Sequence, residues 1–433
     1  MTQPALVGVP ASSRERWSWA FYDFANSAFT TLVVTFIYSA WFAATMAETK
    51  AAGAALWSWG VGGSAVAVAL IAPFVGSAAD RSATRRRWFR RLTLFTVAGT
   101  VLLAFIPAPR ALLALVMFGA TNVAYELALA LYNSFLPGLS REGHEGRLSA
   151  NAWALGYVGG ILCLLAGLGL IGTGWLPERG GLSYRATNLL VAAWYLLFSV
   201  PALIWLRELP PAAPGTGLSI ARLRTAARRL TRYRQAVRLL IARLVYNDGL
   251  VAIFGFGGIY ADAVFGFSLT ELLWFGIWIN VFAGIGAVLF GHLDDWIGGK
   301  PTVMITLVGL ATATIVAMAA TRRWQLWVAA VLIGVMAGPN QSASRSLMAR
   351  FVAPVESAEM FGLYAVSGKM TSFAGPLLVG QLTGWTGSHR VGVASLLVFF
   401  VLGALLLLRV DEREGVRDAA RERARLAALP GAT

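Results

Sequence analysis

Twelve long apolar runs follow one another along this chain, at roughly 17–44, 55–79, 89–107, 111–136, 148–172, 187–206, 239–263, 270–292, 301–321, 324–349, 358–384 and 389–409. Each is close to the roughly 20 residues that a helix needs to cross a bilayer. Backbone groups in lipid must pair within the protein, so only helices and closed barrels span it. These runs are continuous and lack the ten-residue alternation of barrel strands, so they read as helices. Composition agrees: 57% of the residues are hydrophobic and 13% charged, against about 25% charged in a soluble domain. The expected fold is an all-α membrane protein of twelve transmembrane helices. The first run is too long for the apolar core of a signal peptide, and we read it as a span.

Basic residues orient the bundle. Of 36 Lys and Arg, 26 fall before the first run, in the loops after even-numbered runs, or in the tail. Seven fall in the opposite loops, and Arg243, Arg345 and Lys369 fall inside runs. By the positive-inside rule both termini face the cytoplasm, and a bacterial inner membrane is the expected home. The longest connection, 207–238, divides the spans six and six. It begins with Pro210, Pro211 and Pro214 and continues with seven arginines between Ile220, Leu223, Ala227, Leu230 and Val237. That spacing suits an amphipathic helix on an anionic lipid surface, and it equally suits an ordinary basic loop. The expected units are residues 1–206, the linker 207–238, a second half 239–409, and a charged tail 410–433.

The two halves share landmarks. Gly76, Asp80 and Arg85 follow the second run, and Gly291, Asp295 and Lys300 follow the eighth at the same internal spacing. Pro137 and Pro354 close the fourth and tenth runs. Tyr22-Asp23 in the first run is matched by Tyr246-Asn247-Asp248 in the seventh. Matched order and spacing indicate duplication into two pseudo-symmetric six-helix bundles. Halves of this kind place a substrate site between them near mid-membrane and alternate access by rocking.

The stretch Gly76-Ser77-Ala78-Ala79-Asp80-Arg81, followed by Arg85 and Arg86, resembles the loop signature of the major facilitator superfamily, with Ala83 where a glycine is common. The opening Trp19-Ala20-Phe21-Tyr22-Asp23-Phe24-Ala25-Asn26-Ser27-Ala28-Phe29 resembles the start of its vacuole-effluxer-like branch. Fungal members of that branch export amino acids from the vacuole. The resemblance implies a secondary transporter exporting a small polar metabolite, with amino acids first among the substrates. It also implies that Asp80 and Asp295 are conformational gates, each capping a helix of the other half: Asp80 the eleventh span, Asp295 the fifth. A carboxylate suits that position because a helix start offers unpaired N–H groups. Gly76, Arg81, Arg85, Gly291 and Lys300 belong with them.

Ionisable groups inside a bilayer are costly, roughly 2.5–3.5 kcal/mol on insertion scales, and mark function by default. Asp23, Asn26, Ser27 and Thr30 share one face of the first span, either lining a wet cavity or holding helices together. Asn122 and Glu126 share a face of the fourth span. Asp248 lies beside Tyr246 and Asn247 as a coupling carboxylate or as a structural partner of Arg243. Arg345 in the tenth span lies at a depth similar to that of Glu126 in the opposite half, and Lys369 lies in the eleventh span. Three acids against two bases leave one carboxylate unpaired, and burial favours its protonated form, so a coupling proton is expected. Arg345 and Lys369 could hold a solute carboxylate, and Glu126 or Asp23 an ammonium. Tyr22, Tyr125, Tyr157 and Tyr364 are candidate lining residues.

No nucleophile elbow, phosphate loop or metal-ligand spacing is present, so neither catalysis, nor a cofactor, nor a metal is expected. The lone Cys163 lies in an apolar run. The net charge of +15 sits in loops, where orientation accounts for it without nucleic acid. Expected partners are a small-molecule substrate, protons and the bilayer, with the protein a monomer. The competing reading is a non-transporting receptor or lipid-handling protein of the same fold.

Overall fold

Residues 10–174, 181–209 and 232–428 are described by the computed structural model. Twelve spanning helices run up and down among them. They are α1 Ser13–Thr45, α2 Lys50–Ser82, α3 Arg85–Ala104, α4 Ala111–Leu139, α5 Glu145–Gly172 and α6 Leu182–Trp205 in the first half. In the second half are α7 Arg234–Phe265, α8 Leu269–Ile297, α9 Gly299–Ala319, α10 Arg323–Arg350, the two-part α11 (Ser357–Lys369 and Ala374–Thr386) and α12 His389–Leu408. A thirteenth helix, α13 Glu412–Ala427, forms the tail. The proposed amphipathic linker helix falls largely on 210–231, outside the described residues. Residues 234–238, read from the sequence as linker, are the first turns of α7.

Ten of these helices are long and apolar enough to cross a membrane uninterrupted. The other two differ for visible reasons. Helix α3 opens with Arg85, Arg86, Arg87, Arg90 and Arg91 at the terminal face, the side on which both described ends lie. Helix α11, expected as one run over 358–384, breaks at 370–373. Pro376 supplies no N–H and its ring crowds the carbonyl four residues earlier, which disfavours a continuous helix. The third and fourth spans are separate, as the turn at Pro107, Pro109 and Arg110 suggests.

The outer surface carries apolar side chains such as Leu70, Leu112, Leu197, Leu289 and Val308. Water would penalise that surface, and lipid does not. A set of polar and aromatic groups turns inward. The Tyr22 hydroxyl bonds Thr93 Oγ1 at 2.8 Å and the Tyr195 hydroxyl at 2.7 Å, and the Trp19 indole donates to the Tyr132 carbonyl at 2.8 Å. Tyr246 plays the matching part in the second half, bonding Ser344 Oγ at 2.7 Å. Tyr22 therefore knits the first half and does not line a cavity.

Ala83, between α2 and α3, adopts φ +47°, the left-handed region. A residue with a Cβ pays roughly 1–2 kcal/mol there, and glycine does not. Part of that gain is lost to the freer unfolded chain. Ala83→Gly is therefore expected to stabilise the protein by about 0.5–1 kcal/mol. A thermal-unfolding series in detergent checks this; an unchanged or lower midpoint would refute it.

A transport cavity and its gate

The two halves meet through α2 against α11 and α5 against α8, with α10 inside. At the terminal face, Asp80 at the end of α2 accepts from the Ala358 N–H at 3.1 Å and the Glu359 N–H at 2.8 Å, in the first turn of α11. Arg85 forms a close ion pair with Asp80 and donates to Ser357 Oγ and the Pro354 carbonyl, both at 3.0 Å. Gly76 permits this approach: a Cβ there would collide with the Ala358 carbonyl. Arg81 stands beside the contact with its Nε buried and unpartnered.

The second half repeats the device with changed partners. Asp295 accepts from the Gly146 N–H at 2.8 Å, at the start of α5, and pairs with Arg147 Nε at 2.8 Å. Gly291 is again the close-approach residue, facing Ala150. Lys300, expected beside Asp295, instead turns to the tail. Its backbone N–H donates to Glu412 at 2.8 Å and its ammonium to the Leu408 carbonyl at 3.2 Å. The base that serves this side is Arg350, at the end of α10. It pairs with Asp294 at 2.9 Å, Glu412 at 2.9 Å, Glu145 at 3.4 Å and Asp295 at 3.6 Å. Arg423 in α13 reaches Glu142 of the first half at 3.3 Å. The tail thus joins a network that closes the terminal face. Asp411, outside the spans, starts α13; the Glu414 N–H bonded to it holds its carboxyl below the usual range.

Above this closure lies a cavity of about 310 Å³. Its first-half walls are Asp23, Asn26, Ser27 and Thr30 of α1, Tyr125, Glu126 and Asn133 of α4, and Trp153 of α5. Its second-half walls are Arg243, Asn247 and Val251 of α7, Gln341 and Arg345 of α10, and Tyr364, Gly368 and Lys369 of α11. Beside the α1 stripe the helix widens into a π-helical segment, Phe29–Phe36. Such widening is frequent at functional sites.

Two ion pairs cross between halves here. Arg345 meets Asp23 Oδ2 at 3.0 Å, and Lys369 meets Glu126 Oε1 at 2.7 Å. They differ in setting. Arg345 is 2% exposed and is saturated by first-half groups. Besides Asp23 it donates to Asn133 Oδ1 at 3.1 Å, Ser149 Oγ at 2.9 Å and the Ser149 carbonyl at 2.7 Å. Its guanidinium lies 4.9 Å from the Trp19 ring centroid and 5.6 Å from that of Trp153. It forms the cavity floor. Lys369, by contrast, has a side chain 36% exposed and no second carboxylate within ion-pair distance among the described residues. Counting 1.5 Å per residue from the terminal ends of α1 and α4, Asp23 is roughly 15 Å deep and Glu126 roughly 20 Å. Among the described residues, the halves share no ion pair beyond Glu126–Lys369 toward the far face.

Two expected residues lie off the cavity. Asn122 donates to Ser64 Oγ of α2 at 2.8 Å. Asp248 is buried and makes no ion pair with Arg243 or any other base among the described residues; its carbonyl lies against Gly375, just past the α11 break. The reason is register. Aligning Tyr22 with Tyr246 sets Asp23 against Asn247, which does line the cavity, and puts Asp248 about 100° further round the helix. Arg243, which falls one turn before Asn247 on the same face, was legible by that spacing. Arg350 carried no such signal, since it sits where any terminal-face loop cation would.

These features define a multi-pass membrane transporter of the major facilitator class, with no enzyme family indicated. Solved structures agree on the fold. The human organic anion transporter MFSD10 (TETRAN) aligns with a TM-score of 0.76 at 16% identity, over 92% of this chain and all of that one. The proton:xylose symporter XylE aligns with a TM-score of 0.68 at 14% identity, over 91% and 94%. The family model described as "Vacuole effluxer Atg22 like" matches residues 48–420, and the chain belongs to that family. An uncharacterized MFS-type transporter of Bacillus subtilis (strain 168), YxiO, is 26% identical over 92% of this chain and 95% of its own length. Autophagy-related protein 22 of Coccidioides immitis (strain RS) is 23% identical over 63% of this chain, which spans half the length of that relative.

Proposed function

We propose that the protein is a proton-coupled secondary transporter that exports a small carboxylate-bearing metabolite by alternating access, from a bacterial cytoplasm across the inner membrane, with both termini cytoplasmic. One observation carries this reading: both ion pairs of the cavity, Asp23–Arg345 and Glu126–Lys369, join opposite halves. Opening the terminal face requires both to break, and a solute and a proton are the natural agents. Glu126 suits the proton. It faces the cavity and pairs with one half-exposed amine, whereas Asp23 bonds both Arg345 and the Asn26 amide. A proton on Glu126 frees Lys369 and loosens the halves. Amino acids, implied by the sequence resemblance, carry the required carboxylate. A receptor reading gives the two pairs no work to do.

The test is uptake into liposomes under an imposed proton gradient, across amino acids and organic anions. A protein that moves none of them refutes the proposal. Glu126→Gln is expected to lower gradient-driven transport at least tenfold and flatten its pH dependence, while solute exchange without a gradient persists. An unaltered pH profile would take the coupling role from Glu126.

A further inference from the structure

The cavity walls carry three cations, Arg243, Arg345 and Lys369, and two carboxylates, Asp23 and Glu126. Both carboxylates are already engaged, by Arg345 and Lys369. Arg243 is left over. It is 7% exposed, and no carboxylate lies within ion-pair distance of it among the described residues. A cation held at this depth without a counter-charge is costly and needs a reason.

Its bonding shows which part is spare. Nη1 donates to the Tyr364 carbonyl and to Ser367 Oγ, both at 2.9 Å. The guanidinium carbon lies 3.7 Å from the Tyr364 ring centroid. Nε is buried and has no hydrogen-bond partner, and Nη2 makes no bond to the described residues. The group is therefore fixed by one nitrogen and one aromatic face, while its Nε–Nη2 edge is without an acceptor. That edge presents two parallel donors, the geometry that matches a carboxylate. Asn247, whose amide donates to the Gly368 carbonyl at 3.0 Å, supplies a neutral neighbour one turn away.

Resting on the transport reading above, we infer that Arg243 is the anchor for an anionic solute, and that the solute is a net monoanion. One negative charge completes the cavity's balance. A zwitterion leaves the third cation uncompensated, and a cation adds to it. The solute carboxylate bonds the free edge of Arg243, over Tyr364, and its remainder points between the two inter-half pairs. The preference is therefore for small organic monoanions over zwitterionic amino acids of the same size.

The experiment uses full-length purified protein and three sets of size-matched probes: lactate and pyruvate, alanine and serine, and alaninamide. Thermal stabilisation gives apparent affinity and liposome exchange gives transport. The monoanions are expected to bind at least tenfold more tightly than the others. Arg243→Gln should abolish that preference, and Arg243→Lys should restore part of it. Size-exclusion profiles and unliganded melting temperatures identify variants that fold. Alanine and serine matching the monoanions, or a folded Arg243→Gln retaining anion binding within twofold, overturns the assignment and leaves transport standing. Absence of exchange with every probe set overturns the transport reading as well.

Discussion

Arg345→Ala is expected to abolish transport and to destabilise the closed protein by about 3–5 kcal/mol, the range for breaking one side of a buried ion pair. The size follows from what the side chain holds. Four hydrogen bonds run from one guanidinium on α10 to α1, α4 and α5. Its loss leaves Asp23 buried, with the Asn26 amide among its remaining polar neighbours, and opens the cavity floor. Arg345→Lys keeps the charge but cannot reproduce the fork, so it should recover stability better than transport. Chemical unfolding in detergent and solute exchange in liposomes measure the two effects. A stable, active Arg345→Ala would refute the assignment of this residue as the floor.

Asp80→Asn is the second large expectation. The carboxylate accepts two N–H groups of α11 and faces Arg85. An amide offers one acceptor oxygen, and its NH₂ opposes the same donors. Arg85 then stays buried without its counter-charge, a loss of about 1–3 kcal/mol for each unsatisfied group. The terminal face should open more often, so the amides of Ala358 and Glu359 should exchange with solvent at least tenfold faster. Hydrogen exchange over the start of α11 reads this directly. Protection equal to wild type would mean that the contact does not hold the halves.

The twelve spans and their division were legible because lipid imposes length and apolarity on each helix separately. The break in α11 was also written, in Pro376, but a proline's effect depends on whether neighbouring helices restore its lost bond. The approach of Asp80 to α11 and of Asp295 to α5 followed from the resemblance to the major facilitator loop signature, and it makes physical sense because a helix start is a generic anion site. The partner of Asp295 did not follow. Lys300 matches Arg85 in sequence, yet α13 draws it away, and Arg350 takes its place from another helix. The carboxylate count went astray by one residue of register: Asp248 instead of Asn247 was set opposite Asp23. That step removed the expected acid excess, and Arg243, left out of the sequence count, turned the balance into an excess of cations.

The break in α11 has one more effect. Lys369 is the last residue of the first segment, so it stands at a helix C-terminus inside the membrane. The dipole of that segment ends there in partial negative charge, equivalent to roughly half an electron and worth about 0.3–1 kcal/mol to a nearby cation. In the proposed cycle, a proton on Glu126 would take away the ionic partner of Lys369 but leave this one. An unbroken α11 would offer no such reserve, and protonating Glu126 would then strip the amine of all local compensation.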